Sequence, residues 1–379
     1  MTVFTISIIC AIFCVSYGLR LRLECNNVAQ FGSTIAETII AKASINYALQ
    51  EINYLLNDNK TNPVLPAFNL LMADLVFSQS INYALRPKLA KLFKMSVDSA
   101  INMVNSTNLE LNYSATNILL VSANLNNQRS LWSSIANFKY LKVITSHLED
   151  NANKKIDEIE NVLKESLNEE INENIHQFSS KCDSCLIYYS ISFFNEQLLV
   201  EFDSNQTKNG TFYNDGHHAL VVPMMQNKGE YKHYSDENLS AIDIPLHSGN
   251  QLVIVYPNKF VGFRNVLKNL TIKYLNEITC NLKPKQMNVK IPKFKIVLEK
   301  YCCKKNKSVC ASSDEVFGLS QSNQLTVVEF KENGILALQE DDGKVGRVKF
   351  FVHNPFIYII FSKQQIVLYV GIVEKFEQT

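Results

Sequence analysis

The hydrophobic positions of this chain change period partway along. Over residues 29–56 they recur at helical spacing, with Ile35, Ile39, Ile40 and Ala43 on one face and Tyr47 and Leu49 continuing it. Residues 57–63 are polar and end in Pro63, a turn signal. Residues 66–77 and 85–93 read as further helices. The clearest amphipathic helix is predicted over 149–175, with Ile156, Ile159, Val162, Leu163, Leu167 and Ile171 aligned and charges elsewhere. Strands are predicted at 113–125 and at 186–194. The second is apolar and aromatic throughout, as a strand buried on both faces would be. Beyond residue 210 the pattern is mostly β: 219–222, 241–245, 252–256, 289–296 and 326–330. Two apolar runs, 357–361 and 366–373, flank Lys363-Gln364-Gln365 and predict a buried closing hairpin. Helices gathered early and strands late, with no βαβ rhythm, repeat or linker, predict a single α+β domain.

Charge adds little direction. The 379 residues carry 37 basic and 36 acidic side chains, a formal net charge of +1. A nucleic-acid partner is not implied by so balanced a total. Residues 2–18 are apolar and uncharged, and Ser16 and Gly18 put small residues where a signal peptidase cuts, so 1–18 reads as a signal peptide and the mature chain as secreted and free of the membrane. Asn-x-Ser/Thr sequons at Asn59, Asn105, Asn112, Asn205, Asn209, Asn238, Asn269 and Asn306 suit a secreted glycoprotein. Of nine cysteines, Cys10 and Cys14 fall in the leader. The seven that remain leave a free thiol or an intermolecular bridge. Cys182 with Cys185, and Cys310 with Cys302 or Cys303, are local pairing options.

Several blocks, in order, are similar to those of the serpin family. Residues 186–194 resemble its central strand, and Phe202, Thr207 and Phe212 follow at the family spacing. Val221-Val222-Pro223-Met224-Met225, residues 242–246 and Val289-Lys290-Ile291-Pro292-Lys293-Phe294-Lys295-Ile296 match further segments. Glu332, Asn333 and Gly334 stand at the hinge, and Phe350, Pro355, Phe356 and Gly371 in the closing frame. The resemblance implies a serpin fold over 19–379, with three β-sheets and about nine helices. It implies a monomeric serine protease inhibitor rather than an enzyme, needing no cofactor or metal. Such a protein exposes a reactive loop that inserts into a sheet once cut, releasing stored strain.

The hinge and loop depart from that pattern. Glu332 and Gly334 stay, Ile335 takes a threonine position, and Ala337 alone remains of an alanine run. The loop, about 335–349, is short and carries Glu340, Asp341 and Asp342 in succession. Burying an unpaired carboxylate in a sheet costs several kcal/mol. Lys344 and Arg347 are the reactive-loop candidates for a trypsin-like protease, or else solvated cations on a surface turn. The alternative function is a non-inhibitory extracellular binding, carrier or hormone-like protein.

No G-x-S-x-G, P-loop or H-E-x-x-H pattern is present. His217-His218 reads as a polar doublet. Cys182, Cys185, Cys302, Cys303 and Cys310 read as disulfides or thiols rather than a zinc site. Lys283, Lys285, Lys290, Lys293, Lys295, Lys300, Lys304, Lys305 and Lys307 form a basic run that suits a glycosaminoglycan or simply the wet face of strands. Arg86, Lys88, Lys91 and Lys94 read as a solvated helix face.

Overall fold

The computed structural model describes residues 34–57, 61–111, 114–125, 129–146, 186–194, 196–214, 217–258, 263–303, 319–332 and 348–377. The long helix expected over 149–175 lies outside them.

Helix α1 (Ile35–Asn57) starts from Thr34, whose hydroxyl accepts the Glu37 N–H at 3.2 Å while Glu37 accepts the Thr34 N–H at 2.7 Å. This reciprocal cap satisfies two amides that a helix start leaves unpaired. Helix α2 (Ala67–Ser80) is apolar nearly all round and correspondingly buried, passing between a sheet and the closing hairpin. Helices α3 (Arg86–Phe93) and α4 (Val97–Ser106) pack beside them. Short α5 (Arg129–Ile135) follows. Helices α6 (Phe263–Asn269) and α7 (Ile272–Cys280) occupy a stretch read only as β-rich. Among the described residues there are thus seven α-helices.

One sheet has five strands: β2 (Ser114–Ser122), β3 (Lys142–Ser146), β4 (Leu186–Phe194), β10 (Phe294–Cys303) and β11 (Leu319–Phe330), in the order β10-β11-β4-β2-β3. The nine others are β1 (Val64–Leu65), β5 (Lys208–Asn214), β6 (His218–Ser235), β7 (Leu239–Pro245), β8 (Gln251–Pro257), β9 (Lys283–Pro292), β12 (Val348–Phe351), β13 (Phe356–Phe361) and β14 (Val367–Val373). These form one ladder, β1-β14-β13-β8-β7-β6-β9-β12, with β5 alongside β6. Among the described residues, two sheets therefore stand where three are expected, within the expected α+β class. The reason is β6, which pairs β5 and β9 along most of its length and β7 at its end, fusing two groups of strands.

The closing hairpin is present, every residue of β13 and β14 buried. Gly371 faces Tyr358 across it, and a Cβ there would overlap the phenol ring. The strand read over 289–296 is in fact two. Pro292 ends β9 in the large sheet, Phe294 opens β10 in the small one, and Lys293 alone joins them. The basic run is accordingly split, with Lys283, Lys285 and Lys290 on β9 and Lys295 and Lys300 on β10, while Lys304, Lys305 and Lys307 lie outside the described residues. Lys88 is also not simply solvated: it pairs with Glu51 at 2.5 Å and lies 5.0 Å from the Tyr47 ring centre.

Cys280, closing α7, is disulfide-bonded. Among the described residues no helix is long and apolar enough to cross a membrane, and no three His, Cys, Asp or Glu side chains cluster as metal ligands.

Candidate functional site

Strands β4 and β11 lie side by side and parallel, paired from Leu319 opposite Leu186 to Val328 opposite Phe194, with one register shift between Leu319 and Gln321. Every other pairing in the small sheet but one, β2 with β3, is antiparallel. Parallel neighbours need a long crossover, so chain continuity does not hold this seam closed. A strand turning back from the end of β11 into the seam would run antiparallel to both walls.

The inner face of the seam is polar. Ser192 Oγ donates to Thr326 Oγ1 across it at 3.1 Å. From α2 beneath, Asn69 Nδ2 donates to Ser190 Oγ at 2.9 Å, while Asn117 Nδ2 donates to the Asn69 carbonyl at 3.0 Å. Tyr188 Oη donates to Asn117 Oδ1 at 2.6 Å. Buried polar groups so bonded specify one arrangement of the sheet against α2.

The hinge residue Glu332 sits two residues past β11, buried. Its Oε1 accepts from Thr207 Oγ1 at 2.9 Å, and its Oε2 meets Lys293 Nζ at 2.8 Å. Its carbonyl accepts the Phe202 N–H at 3.2 Å. Burial pushes this carboxyl up, but the Lys293 ammonium, the Glu332 N–H and Thr207 outweigh it and hold the group below the usual carboxylate range. Underneath, Phe330 packs against Phe202 and Phe294, and Phe294 against Phe356 and Tyr358. The latch thus stands on an aromatic floor at the corner where Lys293 passes between sheets.

The chain reappears at β12, parallel to β9 with Val348 opposite Met287. Val348 and Lys349 therefore belong to a strand, not to the loop. Gly334, Ala337, Lys344 and Arg347 lie outside the described residues. Of the sequons, Asn205, Asn209, Asn238 and Asn269 are exposed. Asn105 is half-buried and its Oδ1 accepts the Lys139 N–H at 3.2 Å, while Asn59, Asn112 and Asn306 lie outside the described residues. Lys283, Lys285 and Lys295 are exposed and Lys290 half-buried, but Lys293 is committed to Glu332. His217 sits in the turn before β6, and His218 opens the strand.

Sequence reasoning did not find the partners of Glu332. Lys293 was absorbed into the basic run. One signal was available: the apolar phase flips from Val289 and Ile291 to Phe294 and Ile296, which places a break at 293.

A family model described as serpin (serine protease inhibitor) matches residues 71–375. The chain belongs to the serpin family. Iripin-8 of Ixodes ricinus is 28% identical over 216 residues, covering 49% of this serpin and 53% of that protein. Serine proteinase inhibitor 2 of Monkeypox virus is 30% identical over 120 residues, covering 30% and 35%. Bovine (Bos taurus) pigment epithelium-derived factor is 25% identical over 156 residues, covering 40% and 37%. The matched stretches thus span about half or less of these relatives. The fold is shared with native protease nexin-1, crystallised with heparin, at a TM-score of 0.75 and 16% identity over 90% of this chain and all of that one. It is shared also with Arabidopsis AtSerpin1 in its native stressed conformation, at 0.70 and 14% over 91% and 99%.

Proposed function

We propose that this serpin is a secreted inhibitor of a trypsin-like serine protease, presenting Lys344 or Arg347 and trapping the enzyme by inserting its loop between β4 and β11. The observation that supports this most is the parallel seam with Glu332 latched at its end. Taking Lys331 to Gly334 as the turn, Ala337 falls opposite Val328 and Phe194, and Lys344 opposite Gln321 and Ile187. A chain cut after Lys344 then nearly fills the ladder. In that register Asp341 comes opposite Gln324 and Ser190, on the face where Asn69 donates. Its carboxylate meets polar donors there rather than apolar core, which lessens the burial cost raised by the acidic run. The disulfide at Cys280 suits an oxidising, extracellular setting.

The test is incubation with a trypsin-like protease. An SDS-stable complex, together with a large gain in heat stability after loop cleavage, is the expected result. Cleavage with neither outcome overturns trapping. Asp341→Lys, which places a cation against Asn69, should abolish the gain in heat stability, whereas Asp341→Asn should keep most of it.

The second reading is a non-inhibitory binding or carrier protein, favoured by Ile335 at the hinge and by Glu340 and Asp342, which the polar spot does not serve. A glycosaminoglycan partner would use Lys283 and Lys285, which share one face of β9, rather than the whole basic run. Loss of heparin-column retention in the double alanine variant tests it.

A further inference from the structure

The turn over residues 203–207 carries a second kind of site. Asp203 caps it, accepting the Asn205 N–H at 2.9 Å and the Gln206 side-chain amide at 3.4 Å. This leaves the Asn205 side chain exposed, while Thr207 turns back to donate to Glu332. Phe202, before the turn, donates its N–H to the Glu332 carbonyl. Both ends of the turn are therefore tied to the residue at which the chain leaves β11. Asn205-Gln206-Thr207 is also a sequon. Asn209, Asn238 and Asn269 are exposed as well.

We propose that Asn205 carries an N-linked glycan that stands at the open end of the β4–β11 seam and slows entry of a strand there. The modification rests on the secreted reading above, and the slowing rests on the insertion reading. In the transfer, Asn205 Nδ2 forms a bond to the anomeric carbon of a lipid-diphosphate-linked oligosaccharide. The bond from that carbon to the diphosphate oxygen breaks, the lipid diphosphate leaves, and the amide proton passes to a base. A sequon needs its hydroxyl for this step, and in the folded chain Thr207 gives that hydroxyl to Glu332. The glycan is therefore attached before the latch closes. Once there, its bulk and hydration occupy solvent beside the mouth that an incoming strand must cross.

The full chain is expressed in a secreting eukaryotic cell, and occupancy of the Asn205 peptide is read by mass spectrometry before and after enzymatic deglycosylation. Seam entry is read as the rate at which a short Thr/Ala-rich peptide, supplied in trans, anneals and raises heat stability. Asn205→Gln removes the glycan and keeps the latch; Thr207→Ser keeps both; Thr207→Ala removes both. Expected are an occupied Asn205, annealing several-fold faster in Asn205→Gln than in wild type, and a wild-type rate in Asn209→Gln. An unmodified Asn205 in secreted protein overturns the site, even if peptide still anneals. Equal rates in wild type and Asn205→Gln overturn the gating. An occupied Asn205 with no annealing in any form overturns the gating together with the insertion reading, and leaves the site standing.

Discussion

Asp74 of α2 accepts a hydrogen bond from Tyr47 Oη of α1 at 2.8 Å, near the Lys88–Glu51 pair. Burial raises its pKa, the Tyr47 bond and the Lys88 charge lower it, and Glu51 raises it again, leaving the group at about 7. The folded chain therefore holds a proton on Asp74 that the unfolded chain releases near pH 4. Stability from this group is present at acid pH and is lost as pH climbs from about 4 to 7. Asp74→Asn should flatten that decline, measured as unfolding midpoint between pH 4.5 and 7.5. Glu332, Asp98 and Asp236 are held low and act with the opposite sign, so their contribution fades only under stronger acid. At Gly371 the expected effect is steric. Gly371→Ala drives a methyl into Tyr358 in a close-packed hairpin and should cost about 1–3 kcal/mol, read by urea unfolding. Neither effect was legible in sequence. Asp74 sits inside an apolar helical run, and its proton depends on side chains from two other helices. Gly371 was visible as a family position, but not the ring it makes room for.

Among the elements, those with strong periodicity were legible. Strand β4 and the closing hairpin fall where continuous apolar runs placed them, α2 begins and ends within a few residues of expectation, and α1 ends as expected but starts at Ile35, residues 29–33 lying outside the described ones. Helices α6 and α7 were missed because their short apolar spacing sits between strands and gives no long stripe. The break at Lys293 was hidden because the residue looks like one more lysine on a wet strand. Its role predicts coupling. Lys293→Ala and Glu332→Gln should each destabilise by about 1–2 kcal/mol, and the double variant should cost clearly less than their sum in denaturant titrations. Additive losses would mean that the ammonium and carboxylate do not act on one another.

In the molecule as a whole, the last small-sheet strand before the loop ends at Phe330, and the first large-sheet strand after it starts at Val348. Class and single-domain organisation followed from composition and order of elements, since one phase of apolar residues feeds a core shared by both sheets. The seam itself could not be read, because a parallel pairing of residues more than a hundred apart leaves no local mark. The two anchors of the loop are not separate. Strand β11 pairs β10, β10 continues through Lys293 into β9, and β9 carries β12. Lys293, the one residue between β9 and β10, therefore lies on a second path between the departing and arriving ends of the loop, and its own N–H is held by the Pro223 carbonyl of β6 at 3.0 Å. The two ends are thus joined across the sheets as well as along the loop.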